Sequence, residues 1–206
     1  MMIKNFGARV VSVWEGLRPL TKKMLAGALA TNSGNPTAVT GTQKFSYDVH
    51  AEWELSRLLA ALDEQAKDAE IREDAEKIRE IKQLAETCAK VLQAQTSSAE
   101  VFIQLATRTV KRHDFNNLDR LGDILSTRFS AGEVAEIVRQ TELAQIRAIA
   151  YETLATMPLN NLVALLDDQL YFEIARNSIE QQAFEFDNED AQQILEQLES
   201  DEIDGE

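Results

Sequence analysis

The chain has 206 residues, of which 44% are hydrophobic and 27% charged, and its formal net charge is −14. This balance is ordinary for a globular protein and argues against a chain that is disordered throughout. The excess of acids argues against nucleic acid as a partner, because phosphate backbones repel an acidic surface.

Turn-forming residues are scarce and unevenly placed. The chain has 8 glycines and 3 prolines, and no proline lies between Thr37 and Met157. Sheets need tight turns made by Gly, Asn and Pro, whereas Ala, Leu, Glu and Gln favour helices. The sequence therefore predicts an all-α fold, an irregular multi-helix bundle of roughly six to eight helices.

The alternative architecture is a short α-solenoid of helical hairpins. The triplet Asn-Asn-Leu at 116–118 recurs at 160–162, an offset that suits a repeat of two helices. No third copy lies at the same offset before the first, and stable solenoids need about three repeats. The bundle therefore stays the first expectation.

Residues 1–30 form the first predicted segment, which is basic and amphipathic. Apolar residues recur there at three- and four-residue steps, and Pro19 interrupts the pattern before a second short helix. Docking on the protein's own core or on a second subunit is the expected use of the apolar face, and binding an anionic membrane surface through residues 3–25 is the alternative. A cleavable targeting sequence is a third interpretation. The candidate membrane or partner face consists of Phe6, Val10, Trp14 and Leu17.

Residues 31–50 are predicted to be a polar linker, because they contain the densest run of Ser, Thr, Asn, Gly and Pro in the chain. Towards the end of the linker Phe45, Tyr47 and Val49 alternate with polar residues, a pattern that fits a short extended piece. An irregular stretch is therefore expected between the basic segment and the rest of the chain.

Residues 51–186 are predicted to be the helical core domain. Its first part, 51–95, fits one long helix or two helices broken near 66–70. Acid-to-base pairs four residues apart, such as Asp68 with Arg72, indicate a solvated face on this part.

Helix-capping patterns divide the remainder of the core. Capping boxes, each a Ser followed three residues later by Glu, occur at 97–100 and 130–133 and predict two helix starts. Asp114 or Asn117 is expected to cap the helix between them. A single long helix is expected over 134–154, because its apolar pattern continues without a break. Pro158 is then expected in the first turn of the following helix.

Residues 187–206 are predicted to be an acidic C-terminal helix and tail. From Glu185 to the last residue the chain has ten acids and no base. Asp187 is expected to cap the helix. Its apolar face can pack on the protein's own body, which is the first expectation, or enter a partner's groove. This candidate C-terminal docking face consists of Ile194, Leu195 and Leu198.

A search for chemical sites gives no catalytic, cofactor-binding or metal-ligating candidate. The two histidines, His50 and His113, lie far apart and outside any metal-ligand spacing, and no glycine-rich phosphate loop exists. Cys88 occupies an apolar position of a helical pattern and is expected to be buried. A basic cluster ends one predicted helix, where the helix dipole favours cations, with an anion-binding patch as the alternative. The cluster comprises Arg108, Lys111, Arg112 and His113.

These observations favour a non-enzymatic helical interaction or scaffold protein, whose partner is another protein or a second copy in a homo-oligomer. One alternative is a peripheral membrane-surface protein, and another is an enzyme with an unrecognised site. The single cysteine is typical of a reducing compartment, so a cytoplasmic location is expected. A membrane-peripheral location, or export or organellar import directed by the N-terminal segment, is the alternative.

Overall fold

The computed structural model of the chain describes residues 3–32 and 47–204. Within those residues it contains twelve α-helices, one short 3-10 helix and no strand. The predicted all-α multi-helix fold is therefore confirmed. The helices are more numerous than expected, because two long predicted helices are interrupted and two of the helices have only 5 residues each.

Most of the predicted linker falls outside the described residues. Residues 33–46, which include Phe45 and most of the polar run, are among those not described. At the end of the predicted linker, Val49 is the first residue of a helix and does not continue an extended piece. Asp48 caps that helix, since its carboxylate accepts a hydrogen bond from the Ala51 N–H at 2.7 Å.

The described residues form two compact units, one up to Thr96 and one from Ser97 onward. The boundary lies inside 51–186, the segment expected to form a single core, and the basic N-terminal segment belongs to the first unit. The helices of the first unit, after a 3-10 turn at Ile3–Asn5, are α1 (Ala8–Gly16), α2 (Pro19–Asn32), α3 (Val49–Gln65), α4 (Ala69–Glu73) and α5 (Ala75–Gln95).

The first unit is built around the pairing of α3 with α5. Helix α1 packs on α3, and α2 packs chiefly on α5. Leucines at three- and four-residue steps line the buried face of α3, and Ile81, Leu84 and Leu92 line that of α5. The fully buried leucines of α3 are Leu55, Leu58, Leu59 and Leu62.

The segment 51–95 is not one long helix, and it is broken as the alternative of two helices predicted. Helix α3 ends at Gln65, close to the expected break near 66–70. A second interruption at Asp74 separates the 5-residue α4 from α5. The Asp74 carboxylate accepts a hydrogen bond from the Lys77 N–H at 3.0 Å and so caps α5.

The second unit contains the remaining seven helices. Helix α8 pairs with α9, α6 packs on α7 and α8, and α11 packs on α9, α10 and α12. Its core includes Phe102 and Phe129, whose rings meet edge to face with centroids 5.6 Å apart. The seven helices are α6 (Ala99–Lys111), α7 (Phe115–Arg128), α8 (Ala131–Gln140), α9 (Ala144–Ala155), α10 (Leu159–Val163), α11 (Phe172–Glu185) and α12 (Glu189–Asp204).

The repeated triplet marks two equivalent helix starts. Helix α7 begins one residue before the triplet at 116–118, and α10 begins one residue before the triplet at 160–162. The two helices then differ in length, with 14 and 5 residues. The likeness therefore extends to the first turn of each helix.

The expectation of one long helix over 134–154 is wrong, because α8 ends at Gln140 and α9 begins at Ala144. The Thr141 hydroxyl accepts a hydrogen bond from the Leu143 N–H at 3.3 Å, and the Thr141 carbonyl accepts one from Arg147 at 2.5 Å. Side-chain bonds of this kind compete with helical hydrogen bonds. The break therefore occurs without the glycine or proline that would have indicated it.

The capping box at 97–100 opens a helix where expected, but with a different capping group. Helix α6 begins at Ala99, and the Ser98 side chain makes no capping hydrogen bond. The Ala99 N–H donates instead to the carboxylate of Glu133, on α8, at 2.6 Å. Glu133 comes from the second predicted capping box, in which Ser130 accepts a hydrogen bond from the Glu133 N–H at 3.3 Å. One carboxylate thus ties the start of α6 to the first turn of α8.

The cap of the C-terminal helix is Asn188 and not the predicted Asp187. The Asn188 side-chain oxygen accepts hydrogen bonds from the N–H groups of Asp190 and Ala191 at 3.1 and 3.3 Å. Asp187 has a φ of 51°, so it forms the left-handed residue of the turn after α11. At the start of α7, Asp114 is one of the two residues predicted as the cap. Its carboxylate caps the helix by accepting a hydrogen bond from the Asn117 N–H at 3.2 Å.

Gly7 is the N-cap of α1 and has a backbone conformation that other residues rarely adopt. Its φ is 92° and its ψ is 151°. A Cβ atom at this position would overlap the Gln65 side-chain amide. Glycine therefore lets the start of α1 approach the end of α3, where α1 packs.

Replacing Glu133 by Ala is expected to destabilise the protein by about 1–2 kcal/mol, because the charged acceptor for the Ala99 N–H is lost. Urea unfolding followed by circular dichroism measures the change. Glu100→Ala is the matched control, because Glu100 is the acid that the sequence pattern alone assigns to this cap. A larger loss for Glu100→Ala than for Glu133→Ala would contradict the observed cap.

Replacing Gly7 by Ala is expected to cost about 1–3 kcal/mol of unfolding free energy, because alanine is strained at this φ. Gly16→Ala is the control, since a Cβ atom there has no neighbour within 4 Å. The control is expected to leave stability unchanged or slightly raised, as alanine is a better helix former. Equal effects of the two substitutions on the urea midpoint would refute the role assigned to Gly7.

Candidate functional site

The predicted N-terminal face lies inside the first unit. Phe6, Val10 and Leu17 expose at most 4% of their surface, and Trp14 is half-buried. The Lys22 ammonium lies 5.9 Å from the centre of the Trp14 ring, a cation–π contact. In this packing the four side chains serve the core of the unit. Their use as a membrane or partner face stays a prediction that would require them to leave it.

A polar cluster fixes the junction between α1 and α2 to the start of α3. Two nitrogens of the Arg18 guanidinium donate hydrogen bonds to the Asp48 carboxylate, at 2.6 and 3.1 Å. The Arg18 backbone N–H and Nε donate to the buried carboxylate of Glu54 at 2.9 and 3.3 Å. The Thr21 hydroxyl also donates to Glu54.

The charges of this cluster are mutually stabilised. Hydrogen bonds from Arg18 and from the Ala51 N–H hold the pKa of Asp48 well below its usual range. Burial of Glu54 would raise its pKa, but the hydrogen bonds from Thr21 and Arg18 outweigh burial and hold the pKa below its ordinary value. Both carboxylates therefore remain ionised and engaged, an arrangement that suits positioning of helices rather than proton transfer.

The other residues that the sequence offered for chemistry are dispersed. His50 and His113 are exposed on different units, and Cys88 is buried as predicted. Over the described ranges, no group of three or more His, Cys, Asp or Glu side chains is placed to hold a metal ion. Among the helices described, none combines the length and apolar character that crossing a membrane requires.

The C-terminal helix lies on α11 in the second unit. Ala191 and Leu195 are buried, whereas Ile194 and Leu198 are half-buried. The Gln192 side-chain N–H donates to the Ala183 carbonyl at 3.0 Å, which satisfies one carbonyl of the last turn of α11. The predicted docking face therefore contributes to the packing of α12 within the second unit.

A groove of about 270 Å³ runs between α11 and α12. Phe184 and Leu195 supply its apolar lining, and three glutamates surround them. Glu180 is the one of these that pairs with a base, Arg176, at 3.3 Å. We call this site the acidic groove, and its lining residues are Glu180, Phe184, Gln192, Leu195, Glu196 and Glu199.

A second cavity lies nearby, where the end of α9 meets the end of α11. Its volume is about 560 Å³ and Phe186 forms part of its lining. The buried Gln182 holds this region together, since its side chain donates to the Met157 carbonyl at 2.8 Å and accepts from Asn188 at 3.3 Å. Phe184 therefore lines the acidic groove, and Phe186, two residues later, lines the second cavity.

These two phenylalanines are unusually exposed. Phe184 exposes 74% of its surface and Phe186 exposes 55%. Single exposed apolar residues are common, but two aromatic rings beside concave, partly apolar sites are typical of interaction surfaces. After Arg176 the chain has eleven acids and no base, and three glutamates lie with Phe184 in the lining of the acidic groove.

The sequence prediction named Ile194, Leu195 and Leu198, on α12, as a docking face expected first to pack on the protein's own body. Phe184, on α11, was not selected. The available signal was the position of Phe184 relative to Ile179 and Ala183, which are buried. A helical count places Phe184 one residue past the buried stripe, towards solvent.

The position of α11 depends on a second charged cluster. Glu136 on α8 accepts hydrogen bonds from Arg139 at 2.6 Å, from Gln140 and from the Tyr171 hydroxyl at 3.0 Å. Tyr171 directly precedes α11, so the last of these bonds ties the start of α11 to α8. The bonds, led by those from Arg139, lower the pKa of Glu136 to about 2.

No protein-family model matches the chain, and no curated protein or solved structure matches it either. The acidic groove, the second cavity and their exposed phenylalanines therefore have to be interpreted from their own chemistry.

The low pKa of Glu136 predicts a specific loss of stability in acid. A carboxyl whose pKa is lower in the folded than in the unfolded state stabilises fully above about pH 4.5, and that contribution disappears as the pH falls towards 2. Glu136→Gln is expected to reduce the stability difference between pH 5 and pH 2 by about 1–2 kcal/mol, discounted for the exposed Arg139. Urea unfolding at a series of pH values measures it.

The control for this prediction is Glu142→Gln, which alters an exposed carboxyl of the α8–α9 turn. It is expected to retain the acid sensitivity of the unsubstituted protein. If stability depends on pH in the same way for Glu136→Gln and for the unsubstituted protein, the hydrogen bonds described do not lower the pKa of Glu136.

Proposed function

We propose that this chain is a non-enzymatic helical interaction protein, and that the acidic groove receives a basic amphipathic segment of a protein partner. The observation that carries the proposal is Phe184, an aromatic ring with 74% of its surface exposed beside a groove. An exposed aromatic ring costs solvation free energy in the free protein and supplies binding free energy once covered.

The shape of the groove supports a protein side chain as its occupant. Its volume of about 270 Å³ is small for a cofactor and suits one or two apolar side chains. Grooves between two helices are a common seat for an amphipathic helix, whose anchors recur at three- and four-residue steps. The apolar lining of Phe184 and Leu195 would meet those anchors.

The charge of the groove supports a basic partner. Glu196 and Glu199 are exposed along α12, and the local sequence provides no base to neutralise them. Cationic side chains at the edge of the apolar anchors would match this potential, and would accelerate association more than they raise affinity. An acidic partner would be repelled by the same charges.

Direct binding of a designed probe tests the proposal. The probe is a fluorescein-labelled synthetic helix of Lys and Leu with all Leu residues on one face, and binding is measured by fluorescence anisotropy. Phe184→Ser is expected to weaken binding about tenfold, because an aromatic anchor is lost while the charge is unchanged. Leu170→Ser, which alters another exposed apolar residue of the second unit, is the control and is expected to bind like the unsubstituted protein.

Two comparison probes separate the groove from general attraction to an acidic protein. A helix with Glu in place of Lys, and a peptide with the Lys and Leu order scrambled, are both expected to bind at least about tenfold more weakly. If Phe184→Ser binds the basic helix as tightly as the unsubstituted protein does, the proposal is wrong. Equal binding of the ordered and scrambled peptides would also refute it.

A further inference from the structure

A second surface of the same unit has the opposite charge. The turn from α6 to α7 exposes Lys111, Arg112 and His113, followed two residues later by Phe115 with 56% of its surface exposed. The His113 and Phe115 rings lie with their centroids 6.3 Å apart. We call these four residues the basic corner.

The basic corner is held in one conformation by backbone hydrogen bonds. His113 has a φ of 56° and its N–H donates to the Val110 carbonyl at 3.0 Å, while the Asp114 N–H donates to the Thr109 carbonyl at 3.2 Å. This pair of bonds is the Schellman arrangement that ends a helix. Because Asp114 also caps α7, Phe115 is fixed as the first residue of that helix.

Rigid display of an aromatic ring favours binding, because little conformational freedom is lost when the ring is covered. The helix dipole accounts for cations at the end of α6, but it does not account for an exposed Phe115 beside them. The basic corner therefore has both features that the acidic groove requires of its partner, positive charge and an apolar anchor.

We infer that the acidic groove of one copy binds the basic corner of a second copy, with Phe115 entering beside Phe184 and Leu195. This inference rests on the proposed function and names the partner. Within one copy Phe115 and Phe184 both remain exposed, so neither covers the other. In the complex Lys111 and Arg112 would face the glutamates of α12, chiefly Glu196 and Glu199.

Such a contact joins two different surfaces and is therefore head-to-tail. One corner and one groove remain unused in each pair of copies, so association continues to larger species or closes into a ring. The groove is small, and the contact is expected to be weak, with a dissociation constant on the order of 10–100 μM. Since opposite charges meet, raising the salt concentration is expected to weaken it.

The test uses two full-length variants that each lose one surface. The corner variant carries Lys111→Glu and Phe115→Ser, and the groove variant carries Phe184→Ser and Glu196→Lys. Neither alters a buried residue, and circular dichroism and urea unfolding check that each is folded. Lys90→Glu, an exposed charge change on α5, is the control.

Sedimentation equilibrium over a concentration series gives the decisive comparison. The unsubstituted protein and Lys90→Glu are expected to self-associate, with dissociation constants about tenfold or more below those of either variant alone. An equimolar mixture of the two variants is expected to form a 1:1 heterodimer that grows no further, because one intact corner and one intact groove remain between them.

Three results would overturn the inference. They are an unsubstituted protein that stays monomeric at the highest concentration, variants that associate as well as the unsubstituted protein, and a mixture that does not restore association. The Lys and Leu probe keeps this inference separate from the proposed function. If that probe binds in a Phe184-dependent way to a monomeric protein, the groove is functional and its partner is a different protein.

Discussion

Helix α12 has seven acids and no base between Glu189 and Asp204. Its attachment depends on a narrow apolar contact, in which Ala191 and Leu195 are buried against α11. Burial of one leucine contributes about 1.5–3 kcal/mol. The Asn188 side chain caps the start of α12, and the Gln192 side chain donates a hydrogen bond to the Ala183 carbonyl of α11.

The candidate site exists only because of this contact. The acidic groove has α11 on one side and α12 on the other, and it would be absent if α12 separated. Helix α11 is positioned in turn by Tyr171, which hydrogen-bonds to Glu136 on α8. Phe184 lies one residue beyond the buried stripe of α11 and therefore faces solvent instead of the core. The contact of α12 with α11 and the hydrogen bond of Tyr171 to Glu136 thus place the Phe184 ring beside the glutamates of the acidic groove.

Separation of charge gives the second unit two unlike surfaces. Bases cluster where α6 ends, and acids fill the chain after Arg176. Each charged region includes at least one exposed phenylalanine, and apolar anchors surrounded by charge are a combination that gives a contact both affinity and a preferred orientation. In the first unit the charged side chains of Arg18, Asp48 and Glu54 are engaged in holding helices together.

Helix type and several helix starts were predictable because they depend on nearby residues. The scarcity of glycine and proline indicated an all-α chain, and the pattern around Asp114 identified a cap. The break at Thr141 was not predictable from periodicity, because the apolar pattern continues through it and a side-chain hydrogen bond accompanies it. Nor was the cap of α6, since Glu133 lies 34 residues away from Ala99. The charge of the tail and the solvent-facing position of Phe184 on its helix were visible in the sequence. The acidic groove itself was not, because it combines residues of two helices.

Hydrogen–deuterium exchange of α12 tests the central claim most directly. If α12 packs on α11 and forms one wall of a binding groove, its amides around Ala191 to Leu195 exchange slowly in the free protein. They are expected to slow further, together with those around Phe184, when the basic Lys and Leu helix is added. Exchange of α12 at the rate of an unstructured chain, while α8 and α9 remain protected, would contradict the account.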